Sequence, residues 1–196
     1  MTDTTTHAPR PLADPGPLGL AAFALTTFVL SVFNAGLLPA SAEAVVFGLA
    51  LFYGGIVQVA AGVLEIFKNN TFGALAFCSY GGFWLAFWYL ATQASFADGA
   101  PKAQAVGVFL LAWTIFTAYM LFTVAHVQIG LTVTFAVLEI AFIGLTVGDL
   151  FGIEAATRVG GWFGLAAAFA AWYCSFAGLL QNTLGRVVLP VGPRTR

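Results

Sequence analysis

"PLGLAAFALTTFVLSVFNAGLL", residues 17 to 38, contains no Asp, Glu, Lys, Arg or His. About 20 apolar residues in a helix cross the roughly 30 Å hydrocarbon core of a bilayer, and a helix satisfies its own backbone hydrogen bonds there. The stretch therefore predicts a transmembrane helix. At its start, Pro17 suits the first turn of a helix because its missing N–H would have had no intrahelical partner, while Pro15 and Gly16 just before it bar extension backward. The Pro-Gly-Pro run thus fixes where the first span begins.

Five more uncharged runs follow, at 44 to 64, 72 to 92, 103 to 125, 130 to 148 and 159 to 183. Between them lie Pro39, Glu43, the 65 to 70 stretch, the Asp98-Gly99-Ala100-Pro101-Lys102 break, His126-Val127-Gln128 and the 149 to 158 loop, all usual turn material. Period-2 alternation over ten-residue segments, the mark of a membrane β-barrel, is missing from these runs. The expected fold is an all-α membrane protein with six transmembrane helices. Residues 1–16 form an N-terminal tail, 17–184 the six-helix transmembrane domain and 185–196 a C-terminal tail.

Composition agrees. Hydrophobic residues make up 60% of the 196, charged residues only 8%, and the mean hydropathy is +0.94, against about 25% charged in a soluble domain. A net charge of -1, with seven Lys and Arg scattered along the chain, excludes a basic nucleic-acid footprint. The first 16 residues lack the charged and apolar regions of a cleavable signal, so the first span is expected to be retained. With an even number of spans both ends share one side. Arg10, Lys68, Arg186, Arg194 and Arg196 fall there, against Lys102 and Arg158 opposite, which places both termini in the cytoplasm.

Inside the spans one ionisable residue stands out. Glu139 lies near the middle of span five, where a carboxylate costs about 2.5 to 3.5 kcal/mol on insertion scales and usually faces a bundle interior or a water-filled cavity. It is a candidate proton relay, or an acid that joins helices. On span one, Phe23, Thr27, Leu30 and Asn34 recur along one face, with Thr26 and Ser31 beside it. Such a stripe serves solute binding or helix-to-helix hydrogen bonding. The pairs Gly144/Gly148, Gly148/Gly152 and Gly160/Gly164 permit close helix packing first and a subunit interface second. Cys78 and Cys174, in apolar runs without a CxxC or His/Cys cluster, read as structural thiols, and neither a metal nor a cofactor is expected.

Four stretches together carry a family resemblance: Asp14-Pro15-Gly16-Pro17-Leu18-Gly19-Leu20, "LFYGGIVQVAAGVLE" (51 to 65), "NTFGALAFCSYGGFWL" (70 to 85) and "LGRVVLPVG" (184 to 192). In order and spacing they resemble the acetate uptake transporters, also called succinate-acetate permeases, whose N-terminal signature is Asn-Pro-Ala-Pro-Leu-Gly-Leu. The resemblance covers nearly the whole chain. It implies six-helix protomers, each with its own pore, assembled as a homohexamer in the cytoplasmic membrane and passing acetate and small related carboxylates such as succinate. It also implies a Phe, Tyr and Leu constriction, carried over to Phe23, to Tyr80 in Ser-Tyr-Gly, and to Leu138 by counting back from Gly148. Asp14 and Gly16 depart from the signature and leave solute preference open.

Joined to the residue reading, the resemblance gives a mechanism. An apolar ring restricts a hydrated anion by dewetting, and Thr27, Asn34, Tyr80 and Gln58 offer hydrogen bonds in place of lost water. Small acids would cross as the neutral species or with a proton in step. A passive channel for another small solute is the alternative, since Asp-Pro-Gly mimics one aquaporin motif, although the second is missing. An intramembrane hydrolase would have only Glu139 and His126 to work with, in no Ser/His/Asp or HExxH arrangement, so no enzyme is expected.

Overall fold

Pro15 caps the first helix and Pro17 sits in its opening turn; the Gly19 N–H already donates to the Pro15 carbonyl at 3.0 Å. The computed structural model, which describes residues 12–193, continues from there through six helices long and apolar enough to cross a membrane. They are α1 (Gly16–Asn34), α2 (Val45–Phe67), α3 (Thr71–Thr92), α4 (Lys102–Val124), α5 (Ile129–Phe151) and α6 (Glu154–Leu184). Most of the N-terminal tail, with Arg10, and the last residues, with Arg194 and Arg196, lie outside the described residues.

Three helices run on through acidic residues that the sequence reading places in the breaks between spans. α2 carries Glu65 and ends at Phe67, α5 carries Asp149 and ends at Phe151, and α6 starts at Glu154 instead of 159. A charged side chain does not interrupt the backbone ladder when it has a partner or reaches the membrane surface. The expectation of a single acid within the helices is corrected accordingly. Glu65 is a helical residue only 1% exposed, and its Oε2 accepts a 2.9 Å hydrogen bond from Asn70 Nδ2. Asn70 in turn caps α3, its Oδ1 accepting from the Gly73 N–H at 3.1 Å. α5 and α6 stop at Gly152 and Gly185, whose φ of 67° and 66° put them in the left-handed region that glycine adopts without strain.

α6 packs most extensively on α5 and α1, α4 packs on α5, and α2 packs on α3. The glycine pairs work inside the protomer: a Cβ on Gly144 would stand 2.8 Å from the Gly160 Cα, and one on Gly161 would overlap the Ala35 nitrogen and Asn34 carbonyl carbon. α3 meets α4 and α5 through rings instead. Tyr80 packs against Trp113, Phe116 and Phe135, and Phe83 against Phe109, Trp113 and Phe142, with centroids 5.4 to 6.1 Å apart. Edge and offset aromatic contacts at such distances add to area burial.

Two local features were not visible in the apolar runs. Phe52–Val57 within α2 is π-helical, a wider turn that rotates everything after it relative to what precedes it. Residues 185 to 193 double back over the start of α5, where the Gly192 and Val191 carbonyls accept from the Ile129 and Gly130 N–H groups at 2.9 Å each. Those donors have no intrahelical partner, so the segment supplies the missing cap. Tyr173 pins it further by donating to the Pro190 carbonyl at 2.8 Å.

Candidate functional site

The helices leave cavities between them. One, of about 250 Å³, opens at the end where the chain enters and leaves; its lining includes Asp14, Gln58, Glu65, Asn70, Gln128 and Gln181. A smaller one of about 40 Å³ lies deeper and includes Thr27, Ser31, Asn34, Phe83, Trp84 and Phe142. Phe23, Tyr80 and Leu138 line both, and among the described residues no other does. All three are buried, at 7%, 3% and 5% exposure, and the Phe23 and Tyr80 ring centroids are 5.8 Å apart. Beyond the small cavity, Leu30, Asn34, Phe83 and Leu145 are shared with a wider space that reaches Glu43, Lys102 and Asp149 at the opposite end.

The polar residues named from the sequence fall on both sides of this waist. Thr27 and Asn34 border the small cavity and Gln58 the large one. The Thr27 hydroxyl and the Gln58 Oε1 are buried without a hydrogen-bond partner among the described residues. Orphaned groups of that kind each lose about 1 to 3 kcal/mol of solvation unless something meets them. The Trp84 Nε1, also in a cavity-lining residue, is equally unpartnered. Tyr80 behaves differently from expectation. Thr117 donates its proton to the Trp113 carbonyl at 2.8 Å, so in the 2.9 Å contact between hydroxyls Tyr80 is the donor. Its O–H is committed to the protein and contributes shape to the waist.

Glu139 is next to Leu138 in sequence, but a step of one residue turns a helix by about 100°. Leu138 faces both cavities and Glu139 lines neither. The Glu139 Oε2 is nevertheless buried and unpartnered. Glu65, by contrast, is a helical acid that lines the large cavity, and a reading that takes every charge as the end of a span misses it. Its signal was its spacing: Gln58, Ala61, Gly62 and Glu65 recur on one helical face, and all four are buried.

Charge at the large mouth is organised by Asp14. Burial alone would raise its pKa, but the Lys68 ammonium at 2.7 Å, the Gly16 N–H and Asn182 together hold the carboxyl below its ordinary value. The ion pair therefore persists from neutral pH down to the usual carboxylate range and is lost only as pH falls through the depressed value. It ties the chain before α1 to the end of α2 and to α6. Across the molecule, burial pushes the Glu43 carboxyl up.

Comparison with known proteins agrees with the six-helix fold. The chain is 41% identical over 198 residues to acetate permease A of Emericella nidulans, covering 93% of this chain and 66% of that protein. It is 38% identical over 182 residues to the succinate-acetate/proton symporter SatP of Escherichia coli K12, covering 92% and 96% respectively. The chain spans about two thirds of the length of the fungal relatives, 66% and 64% for two of them, and nearly all of the bacterial one. The solved structure of the bacterial acetate channel SatP superposes with a TM-score of 0.86 at 37% identity, covering 93% of this chain and 100% of that one. Residues 2–194 match the GPR1/FUN34/yaaH family, and the chain belongs to it.

Proposed function

We propose that each protomer carries acetate and related small carboxylates such as succinate across a membrane, through a path narrowed by Phe23, Tyr80 and Leu138. The observation that carries this reading is the sharing of those three buried residues, and no others among the described residues, by the two cavities. A carboxylate entering an apolar ring sheds water that aromatic and aliphatic walls do not replace, and a charged group loses far more in this than a neutral one. The waist therefore favours the protonated acid. Thr27 and Asn34 on one side and Gln58 on the other compensate at the points where the solute regains polar partners. The names of the relatives, a permease, a proton symporter and a channel, support the substrate class.

Both termini facing the cytoplasm, the cytoplasmic membrane as location and assembly as a homohexamer complete the proposal. The apolar residues on the outside of α4, among them Val108, Ile115, Tyr119 and Phe122, are exposed in the single chain and would meet lipid or neighbouring protomers. No enzymatic role is proposed. Glu139, expected as a proton relay, borders neither the large nor the small cavity.

Purified protein in liposomes should take up labelled acetate well above protein-free vesicles, and an imposed proton gradient should drive accumulation. Uptake no faster than in protein-free vesicles overturns the transport reading. Flux that ignores the proton gradient leaves a passive channel.

A further inference from the structure

We infer that Glu65 exchanges a proton with the solute's carboxyl group on the terminal side of the waist, an inference that rests on the transport path proposed above. The solute it serves is a small monocarboxylic acid arriving neutral. The acid's O–H bond breaks as its proton passes to the Glu65 carboxylate, forming an O–H on Glu65. The solute leaves as its carboxylate, and Glu65 returns the proton to water at the mouth. Movement in the other direction runs the same steps backward.

The geometry suits one open oxygen. Oε2 is occupied by Asn70 Nδ2 at 2.9 Å. Oε1 accepts no hydrogen bond among the described residues and borders the cavity beside Gly16, 3.5 Å from where a Cβ on that residue would stand. Gln58, two turns earlier on the same face of α2, also lines the cavity with its Oε1 buried and unpartnered. Two polar groups thus mark one route, from near the waist to the mouth. The π-helical segment ends at Val57, immediately before Gln58, and so sets the phase of both.

The charges around Glu65 leave it as the available acid. Asp14, before α1, and Lys68, at the end of α2, are paired with each other. Asn182 of α6 donates to Asp14. From α3 the neighbours are Asn70 and Gly73, and from α5 and α6 the cavity receives Gln128 and Gln181, all uncharged.

The test measures initial acetate uptake by the full-length protein in liposomes, at equal pH on both sides, with total acetate adjusted to keep the undissociated acid constant. Protein-free uptake is subtracted. A carboxylate acceptor makes wild-type flux rise with pH through the range in which Glu65 loses its proton, and level off above it. Glu65→Gln should be slow and flat across that range, and Glu65→Asp should restore the rise. Asn70→Ala removes a donor that favours the charged form, so Glu65 holds its proton more tightly and the rise should move to higher pH. If Glu65→Gln does not yield folded protein, the shift in Asn70→Ala decides alone. The inference is overturned by a wild-type profile without the rise, a rise retained in Glu65→Gln, one flattened by Glu139→Gln instead, or an unmoved midpoint in Asn70→Ala. Wild-type protein that does not transport at all fails the path itself, and is distinguishable from each of these.

Discussion

Phe23→Ala should raise succinate flux relative to acetate in liposomes by roughly fivefold, the effect of lowering one barrier by about 1 kcal/mol. The Phe23 ring stands 5.8 Å from the Tyr80 ring and borders both cavities. Truncation merges the spaces on either side and lets a longer acid turn where only a short one could. Phe→Ala in a filled core costs about 3 to 5 kcal/mol of stability, and this ring falls at the lower end because part of its surface already faces empty space. A ratio unchanged in folded protein removes Phe23 from the waist.

The second large effect concerns the frame that holds the waist. Gly161→Val should reduce the yield of folded protein several-fold, because overpacking costs about 1 to 3 kcal/mol or more and here the obstacle is backbone. A Cβ at 161 meets the Ala35 nitrogen and the Asn34 carbonyl carbon, which cannot rotate aside as a side-chain tip could. α1 would have to move away from α6, taking Phe23, Thr27 and Asn34 with it. Gly82→Ala is the matched control, since a Cβ there finds nothing within 4 Å. Size-exclusion profiles of the two variants in detergent should differ sharply; equal profiles would show that the α1–α6 approach is not tight.

Much of this was legible before coordinates. Uncharged runs of about 20 residues have one stable form in lipid, so six spans followed from hydropathy alone. The Pro15-Gly16-Pro17 start held to within a residue, because proline's missing N–H acts locally. The resemblance names Phe23, Tyr80 and Leu138, and these three residues, from three helices, line both cavities. Other features depend on tertiary partners and leave a weaker trace. Glu65 stays within its helix because Asn70 meets it, a contact that hydropathy does not register. Neighbours 138 and 139 differ only in helical phase, and mid-span position alone does not decide which of them faces a cavity. The 185 to 193 segment reads as a tail until the uncapped N–H groups of α5 are seen to need its carbonyls.

Filling the waist is the most direct measurement. In Leu138→Trp, labelled-acetate flux through folded, reconstituted protein should fall at least about tenfold, since a bulky indole would occupy the junction that both cavities share. Wild-type flux in that variant, with an unaltered size-exclusion profile, would mean that acetate travels elsewhere and that the ring of Phe23, Tyr80 and Leu138 is packing alone.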